Sequence, residues 1–435
     1  MEHHSNTIEF FGCDFNLEKI YFDSYRQEST PGGDRYPDVN RAIVNRANTG
    51  AIYMNYIGHG GEGGWAHERV LDLQMINSFD NLDNLPIWIT ATCSFGKMDD
   101  PDIISGGESL VLNSLGGAVT TVTTTRLVSS ASNERINRNF LAQSMTNQRA
   151  SLGEIFRLSK NQTFLNNNSN KFALLGDPML SVAFPKYDVF TTTLNGEPIG
   201  ANDTISALER VTFGGVVKDQ NGEIISDFNG IVFPTLYDKK STVTTLVNDA
   251  GSREADFEVQ NNILYRGRAS VVDGHFEFSF IVPKDITYTF GNGKISYYAH
   301  NFQEDANGCD RSIIIGGTSD NIATDNVGPE IELFLDTESF VSGDVTSSDP
   351  TLLANLFDES GINTTGNGLG HDITLVLNGD AQNTLILNEF YEGELDDFQS
   401  GNINYLLSSL EEGEHYITLK AWDVYNNSSE ARLDF

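Results

Sequence analysis

Two side chains in this sequence have the types and setting to break an acyl bond: His59 and Cys93. A thiol is a weak nucleophile until a base takes its proton or a nearby cation lowers its pKa, and an imidazole can do either. His59 falls near the end of the run AIYMNYIGHGG, between Gly58 and Gly60. Cys93 falls near the end of LPIWITATCSFG. A backbone N–H at Gly60, with the N–H of Cys93 itself, would bind the oxyanion of a tetrahedral intermediate, glycine permitting the close approach.

The elements that must position this pair follow from the same runs. Each is apolar, β-branched and aromatic, and each stops at glycine or a small polar residue, which reads as a buried strand of an α/β sheet. Between them DLQMINSFDNLDN spaces Leu73, Met75, Ile76 and Phe79 near a helical period. That is a β-α-β unit, whose strands are parallel neighbours about 5 Å apart. Open α/β sheets place their ligand crevice at the carboxyl ends of the strands, where His59 and Cys93 would meet.

Other readings compete. Cys93 is an inert core thiol in one, and His59 a hydrogen-bonded structural histidine in another. Gly58, Gly60 and Gly63 also fit G-x-G-x-x-G after a strand, the dinucleotide fingerprint. That fingerprint needs a helix opening inside the glycines and an acid ending the next strand. Here the loop runs on through Gly64 and Trp65, and the next strand ends in Cys93. In that loop Glu62 and Trp65 either line a substrate pocket or pack on their own domain. His67, Glu68 and Arg69 read as weak local ion pairs. Asp99, Asp100 and Asp102 read as a solvated acidic loop, the alternative being a hard-oxygen site for a cation such as calcium.

The segments YIGHGGEGGWAHERVL and ITATCSFGKMDDPD resemble the gingipain-type (C25) cysteine peptidases, in particular the sortase branch of the Bacteroidetes type IX secretion system. KIYFDSYRQESTPGGDRYPDVNRAI, GGAVTTVTTTRLVSSASNERINRNF and NKFALLGDPMLSVAFP carry the likeness on, densely over residues 1–185 and loosely beyond. The resemblance implies a caspase-like α/β fold. It puts the catalytic dyad on His59 and Cys93, with Gly60 as an oxyanion-hole donor, and requires no cofactor. It implies a cell-surface enzyme at the extracellular face of the outer membrane. Its implied partners are secreted cargo proteins with C-terminal sorting domains, a lipopolysaccharide acceptor and outer-membrane secretion components. The family's acid behind the histidine matches no residue here; Glu2, Asp14 and Asp23 read as surface charges.

Composition narrows the classes. The chain has 435 residues, enough for two or three domains, with 27 basic against 61 acidic residues and a net charge of −34. Such a surface repels nucleic acid and anionic lipid. No run of eighteen apolar residues would span a membrane as a helix. Cys13, Cys93 and Cys309 are far apart and form neither a disulfide framework nor a metal-binding spacing. The start, MEHHSNTIEFFG, lacks the pattern of a signal peptide. Together with the implied longer relative, this gives the expectation of an incomplete chain.

The fold expected is a caspase-like three-layer α/β domain with a mostly parallel sheet over 1–185, then β-sandwich domains over 186–326 and 327–435, the second Ig-like. In the first domain LEKIYFD reads as a strand and DVNRAIVNRANTG as a helix capped by Asp38. Ser105 caps a helix in SGGESLVLNSLGG, GAVTTVTTTRLV is a strand, SNERINRNFLAQSM and SLGEIFRLSKNQTFL are helices, and residues 179–184 form the last strand. Asp177 and Pro178 set the turn before it. From Lys186, short strands recur with hairpin signals at DQNG and DGHF, and a polar linker is expected near 318–330.

Overall fold

The computed structural model describes residues 2–163, 167–320, 324–365, 370–408 and 410–435, the side chains of 2–4 and 10 excepted. The chain divides into two compact units. One comprises Met1–Gly12, Leu17–Phe184 and Thr242–Val259; the other comprises Cys13–Asn16, Pro185–Ser241 and Gln260–Phe435.

In the first unit, α1 (Glu2–Phe10) precedes a small hairpin of β1 (Glu28–Thr30) and β2 (Gly33–Arg35). Next come α2 (Pro37–Thr49), β3 (Tyr53–Ile57) and three two-residue strands, β4 (Gly60–Gly61), β5 (Gly64–Trp65) and β6 (Leu71–Asp72). The chain continues through α3 (Leu73–Asn77), β7 (Ile87–Ala91), α4 (Gly106–Leu112) and β8 (Thr120–Thr124). It ends with α5 (Ser130–Thr146), α6 (Leu152–Gln162) and β9 (Phe172–Gly176). The main sheet has the order β3-β7-β8-β9; β3/β7 and β7/β8 are parallel, and β8/β9 is antiparallel.

Side chains alternate across this sheet. Met54, Tyr56 and Trp88 pack with Val39 and Ile43 of α2, Ile76 of α3 and Leu110 of α4. Ile89 and Val122 face Ile136 and Phe140 of α5 and Phe156 of α6. The sheet is therefore covered by helices on both faces, and every residue of β7 and β8 is buried.

Several sequence expectations shift. Residues 17–23 form no strand; apart from a 3-10 turn at Phe22–Ser24 they run irregularly. Their polar groups are met by residues 242–259 instead. Leu246 N–H donates to the Asp23 carbonyl at 2.6 Å, Asn248 N–H to the Asp23 carboxylate at 2.8 Å, and Lys19 Nζ to the Glu258 carbonyl at 2.7 Å. Asp38 sits in the first turn of α2, with Tyr36 at the cap and Pro37 opening the helix, where its missing N–H costs nothing. The crossover helix shrinks to the five residues of α3, capped by Asp72. Ser105 does cap α4, in a capping box with Glu108. The last strand is β9 rather than 179–184. The Asp177 carboxylate accepts from Met179 N–H at 2.8 Å, and that turn ends it. The expected helix tail at 164–165 lies outside the described residues.

In the second unit the expectation of two facing sheets over 186–326 is corrected. Nine strands between Tyr187 and Asp310 form one sheet, and Tyr187 and Asp188 pair in parallel with Ala306 and Asn307, so that sheet closes on itself; Thr204–Ala207, Gly291–Asn292 and Ile314–Thr318 form a separate three-stranded sheet. Gly215 permits the curvature: a Cβ there would stand 2.2 Å from the Phe276 ring and 2.6 Å from the Phe190 carbonyl. Inside lie Phe213, Phe278, Phe280 and Tyr297. The DGHF hairpin is formed, with Asp273 and Gly274 both at positive φ between Val272 and His275.

Cys13 and Cys309 are joined, Cα to Cα 5.9 Å across 296 residues of sequence, which overturns the reading of three separate thiols. Sequence spacing does not reveal so distant a partner. Lys294 Nζ donates to the Phe15 carbonyl and Asn16 Oδ1, at 2.8 Å each, so the segment Cys13–Asn16 is held by charge as well as covalently.

Past the expected linker, whose residues 321–323 lie outside the described ones, two four-stranded antiparallel sheets enclose a single core of Leu335, Leu352, Leu375, Ile403, Ile417 and Leu419. Asp325, Asp358 and Asp423 bring carboxylate oxygens within 4.8 Å of one another. Burial, reinforced by Asp423 and Asp325, lifts the Asp358 carboxyl to about 7. The folded state then holds a proton that the unfolded chain has released, so stability falls as pH rises from the ordinary carboxylate range through 7. Asp358→Asn should raise Tm in EDTA at pH 8 by several degrees and leave it unchanged at pH 4. Melts that differ equally at both pH values would count against this.

Candidate active site

The site begins with the register of β3 against β7. Tyr53 pairs with Ile87 and each following residue with its counterpart, ending at Ile57 with Ala91. His59 and Cys93 each follow two residues after the end of their strand, and the two strands that lead to them are adjacent and parallel, about 5 Å apart. His59 is exposed and Cys93 half-buried. Ser94, the next residue, is turned into the left-handed region at φ 54°, which takes the chain out of strand direction directly after the thiol. The Cys93 thiol faces the Val128 carbonyl at 3.8 Å. The His59 ring lies nearly parallel to that of His67, centroids 6.1 Å apart.

A tight hairpin follows His59, which the sequence reading took for a plain loop. β4, β5 and β6 form a three-stranded sheet with β4 at its edge. Ala66 N–H donates to the His59 carbonyl at 2.8 Å, which makes 59/66 a hydrogen-bonded pair. Bonded and non-bonded pairs alternate in an antiparallel ladder, so the next pair, Gly60/Trp65, is non-bonded. The Gly60 N–H therefore points to the open side of β4. A Cβ on Gly60 would stand 2.5 Å from Thr92 Oγ1, so this peptide lies against the residue preceding Cys93. Cys93 N–H has no acceptor among the described residues. The arrangement offers two backbone donors, one on the thiol residue itself and one on the peptide packed against its neighbour Thr92, the kind of donor set that acyl transfer uses.

Trp65 is 3% exposed and belongs to the core, stacked on Tyr56 at 4.1 Å and 5° and close to Trp88 and Phe95. Glu62 accepts from Lys97 Nζ at 2.8 Å, and Lys97 also reaches Asp100 at 2.8 Å. Asp100, then Glu62, hold the Lys97 ammonium well above its usual range. Arg126 grips Asp99 with both guanidinium nitrogens, at 3.0 and 2.5 Å, and holds that carboxyl below the usual range. Asp99 and Asp100 are thus each matched by a side-chain cation. These pairs tie the loop after Cys93 to the His59 hairpin on one side and to the Arg126 loop on the other. Among the described residues His67, Glu68 and Arg69 make no ion pair with one another. Asp23 accepts from Asn248, Asp14 lies in the second unit, and the Glu2 side chain is outside the described residues.

The two stitched loops expose Met98, Ile103, Ile104 and Leu127, an apolar rim on the segments that flank Cys93. A cavity of about 470 Å³ is lined by residues 63–66, Arg69 and residues 71–74. Neither His59 nor Cys93 lines it. Lys97, Arg126 and Tyr56 were not singled out from sequence. Only Lys97, set three residues before Asp100 in KMDD, carried a local signal.

Residues 1–183 match the model of peptidase family C25. Among solved structures, dimeric latent PorU from Porphyromonas gingivalis is 33% identical, with 74% of this chain and 31% of that chain covered and a TM-score of 0.37. The Arg-specific cysteine proteinase gingipain R is 17% identical, with 72% of this chain and 61% of that one covered and a TM-score of 0.35. The chain thus spans about a third of the first and three-fifths of the second. No curated protein matches it. Among the described residues no helix is long and apolar enough to cross a membrane.

With Cys13 and Cys309 joined, the unreduced native protein should take up iodoacetamide at Cys93 alone, and Cys93→Ala should take up none. Peptide mapping by mass spectrometry after alkylation checks this; label on Cys13 or Cys309 before reduction would contradict the pairing.

Proposed function

We propose, taking residues 1–183 as a C25-family peptidase region, that the protein is a cysteine peptidase acting through His59 and Cys93. The observation that carries this reading is their equivalent position past a parallel strand pair. His59 takes the Cys93 proton, and the thiolate attacks the carbonyl carbon of a peptide bond. The oxyanion rests on the N–H groups of Gly60 and Cys93. As the C–N bond breaks, His59 gives its proton to the leaving amine and a thioester remains on Cys93. A second nucleophile, deprotonated by His59, then attacks the thioester and the thiol is restored.

The finer reading is transfer to an amine. The stretches from STPGGDRYP to LLGDPML, which resemble the type IX secretion sortases, support it. The substrates would be secreted proteins cut before a C-terminal sorting domain, and the acceptor a lipopolysaccharide amine at the outer face of the outer membrane, beside the secretion machinery. On this reading the first unit has the caspase-like fold, and residues 186–326, apart from the stretch 242–259 that joins the first unit, and residues 327–435 are accessory domains, the last Ig-like. The exposed Met98, Ile103, Ile104 and Leu127 favour an extended substrate with apolar side chains near the scissile bond. Hydrolysis is the second reading, supported by the exposure of His59, since water reaches the thioester as freely as an amine does.

His59→Ala should leave thermal unfolding unchanged and lower turnover by about 10²–10⁴-fold. Given cargo and lipopolysaccharide from its own surface, the natural full-length enzyme should release the sorting domain and yield a cargo–glycolipid adduct. Mass spectrometry of the new cargo C-terminus decides between the two readings: a free carboxylate alone, with acceptor in excess, leaves hydrolysis.

A further inference from the structure

We propose that Tyr56 is a positioning residue for the oxyanion site, fixing the His59–Gly60 peptide so that the Gly60 N–H faces the reacting carbonyl. The inference rests on the peptidase reading above and adds a residue to it. The Tyr56 hydroxyl donates to the His59 carbonyl at 2.7 Å, and Ala66 N–H donates to the same oxygen at 2.8 Å. A carbonyl held by two donors from different directions is fixed about its own axis. In a trans peptide the C=O and the following N–H point in opposite directions. Holding the His59 oxygen toward Tyr56 and Ala66 therefore turns the Gly60 N–H away from β5, to the open side of β4, while the Thr92 side chain packs against the Gly60 Cα.

The surroundings of Tyr56 suit this task. Its ring is clamped against Trp65 and also stacks toward Phe22 at 6.1 Å. Burial holds the phenol well above its usual range, so it stays a donor at any physiological pH. Gly58 leaves the path clear: a Cβ there would stand 2.4 Å from the Tyr56 hydroxyl oxygen. The hydroxyl touches neither the His59 ring nor the Cys93 sulfur, so its effect is confined to steps in which an oxyanion forms.

Tyr56→Phe in the full chain separates the steps. Iodoacetamide alkylates the Cys93 thiolate by displacement without forming an oxyanion, and this rate should stay within about twofold of wild type. A peptide aldehyde adds to the same sulfur to give a hemithioacetal whose oxygen needs the donors; its affinity, and kcat on peptide substrate, should fall by about tenfold with KM little changed. Gly58→Ala, which crowds the hydroxyl but keeps the tyrosine, should show the same selective loss, and thermal melts confirm that both variants fold. Unchanged aldehyde affinity in both variants overturns the inference. Alkylation falling in step with aldehyde affinity also overturns it, because the His59 ring would then have moved. A wild-type Cys93 that reacts with neither probe removes the peptidase reading, and this inference with it.

Discussion

The parallel register of β3 and β7 is the constraint on which the site depends. Both strands stop in step after Ile57 and Ala91, and the second residue beyond each stop is His59 on one and Cys93 on the other. A slip of one residue would put His59 opposite Thr92 and reverse which face each side chain takes. The register is held by buried residues on both faces: Tyr56 and Trp88 toward α2 and α4, Ile89 toward α5. Removing the hydrophobic contacts of either helix layer would loosen the placement of His59 and Cys93 without touching either residue.

Beyond the strand ends, backbone conformation takes over from side-chain packing. His59 passes straight into a hairpin whose ladder leaves one N–H facing out, and Cys93 passes into a left-handed turn at Ser94. Gly60 lies against the Thr92 side chain with no room for one of its own, so the hairpin backbone packs directly on the residue before Cys93. Donors built from backbone keep their direction without the rotamer freedom a side chain would have to lose, which suits a site that must be ready before charge develops.

Ion pairs then hold the loops that have no regular structure. Lys97 joins the hairpin to the loop after Cys93, and Arg126 joins that loop to the segment whose Val128 carbonyl faces the thiol. In a chain with net charge −34, cations placed among clustered acids relieve local repulsion as well as fixing loops. These pairs are half-exposed and screened by salt, so their weight lies in geometry more than in stability.

The amino-acid sequence by itself located the two strands that lead to His59 and Cys93, the capped helix at Ser105 and the DGHF hairpin. Each of these is written in a few adjacent residues: a buried apolar run, a glycine, a cap followed by its glutamate. What only tertiary structure decided lies between residues far apart. The sheet of the second unit closes on itself, residues 242–259 complete the first unit, and Cys13 finds Cys309. Residues 17–23 show the limit in the other direction, since a strand-like pattern forms no strand where no neighbouring strand is there to pair with it. Trp65 shows it again: a large side chain in a glycine-rich loop has no local mark of whether it turns to substrate or to core, and the stack on Tyr56 decides for the core. Local pattern reports what a segment prefers; pairing, closure and burial depend on what the rest of the chain brings to it.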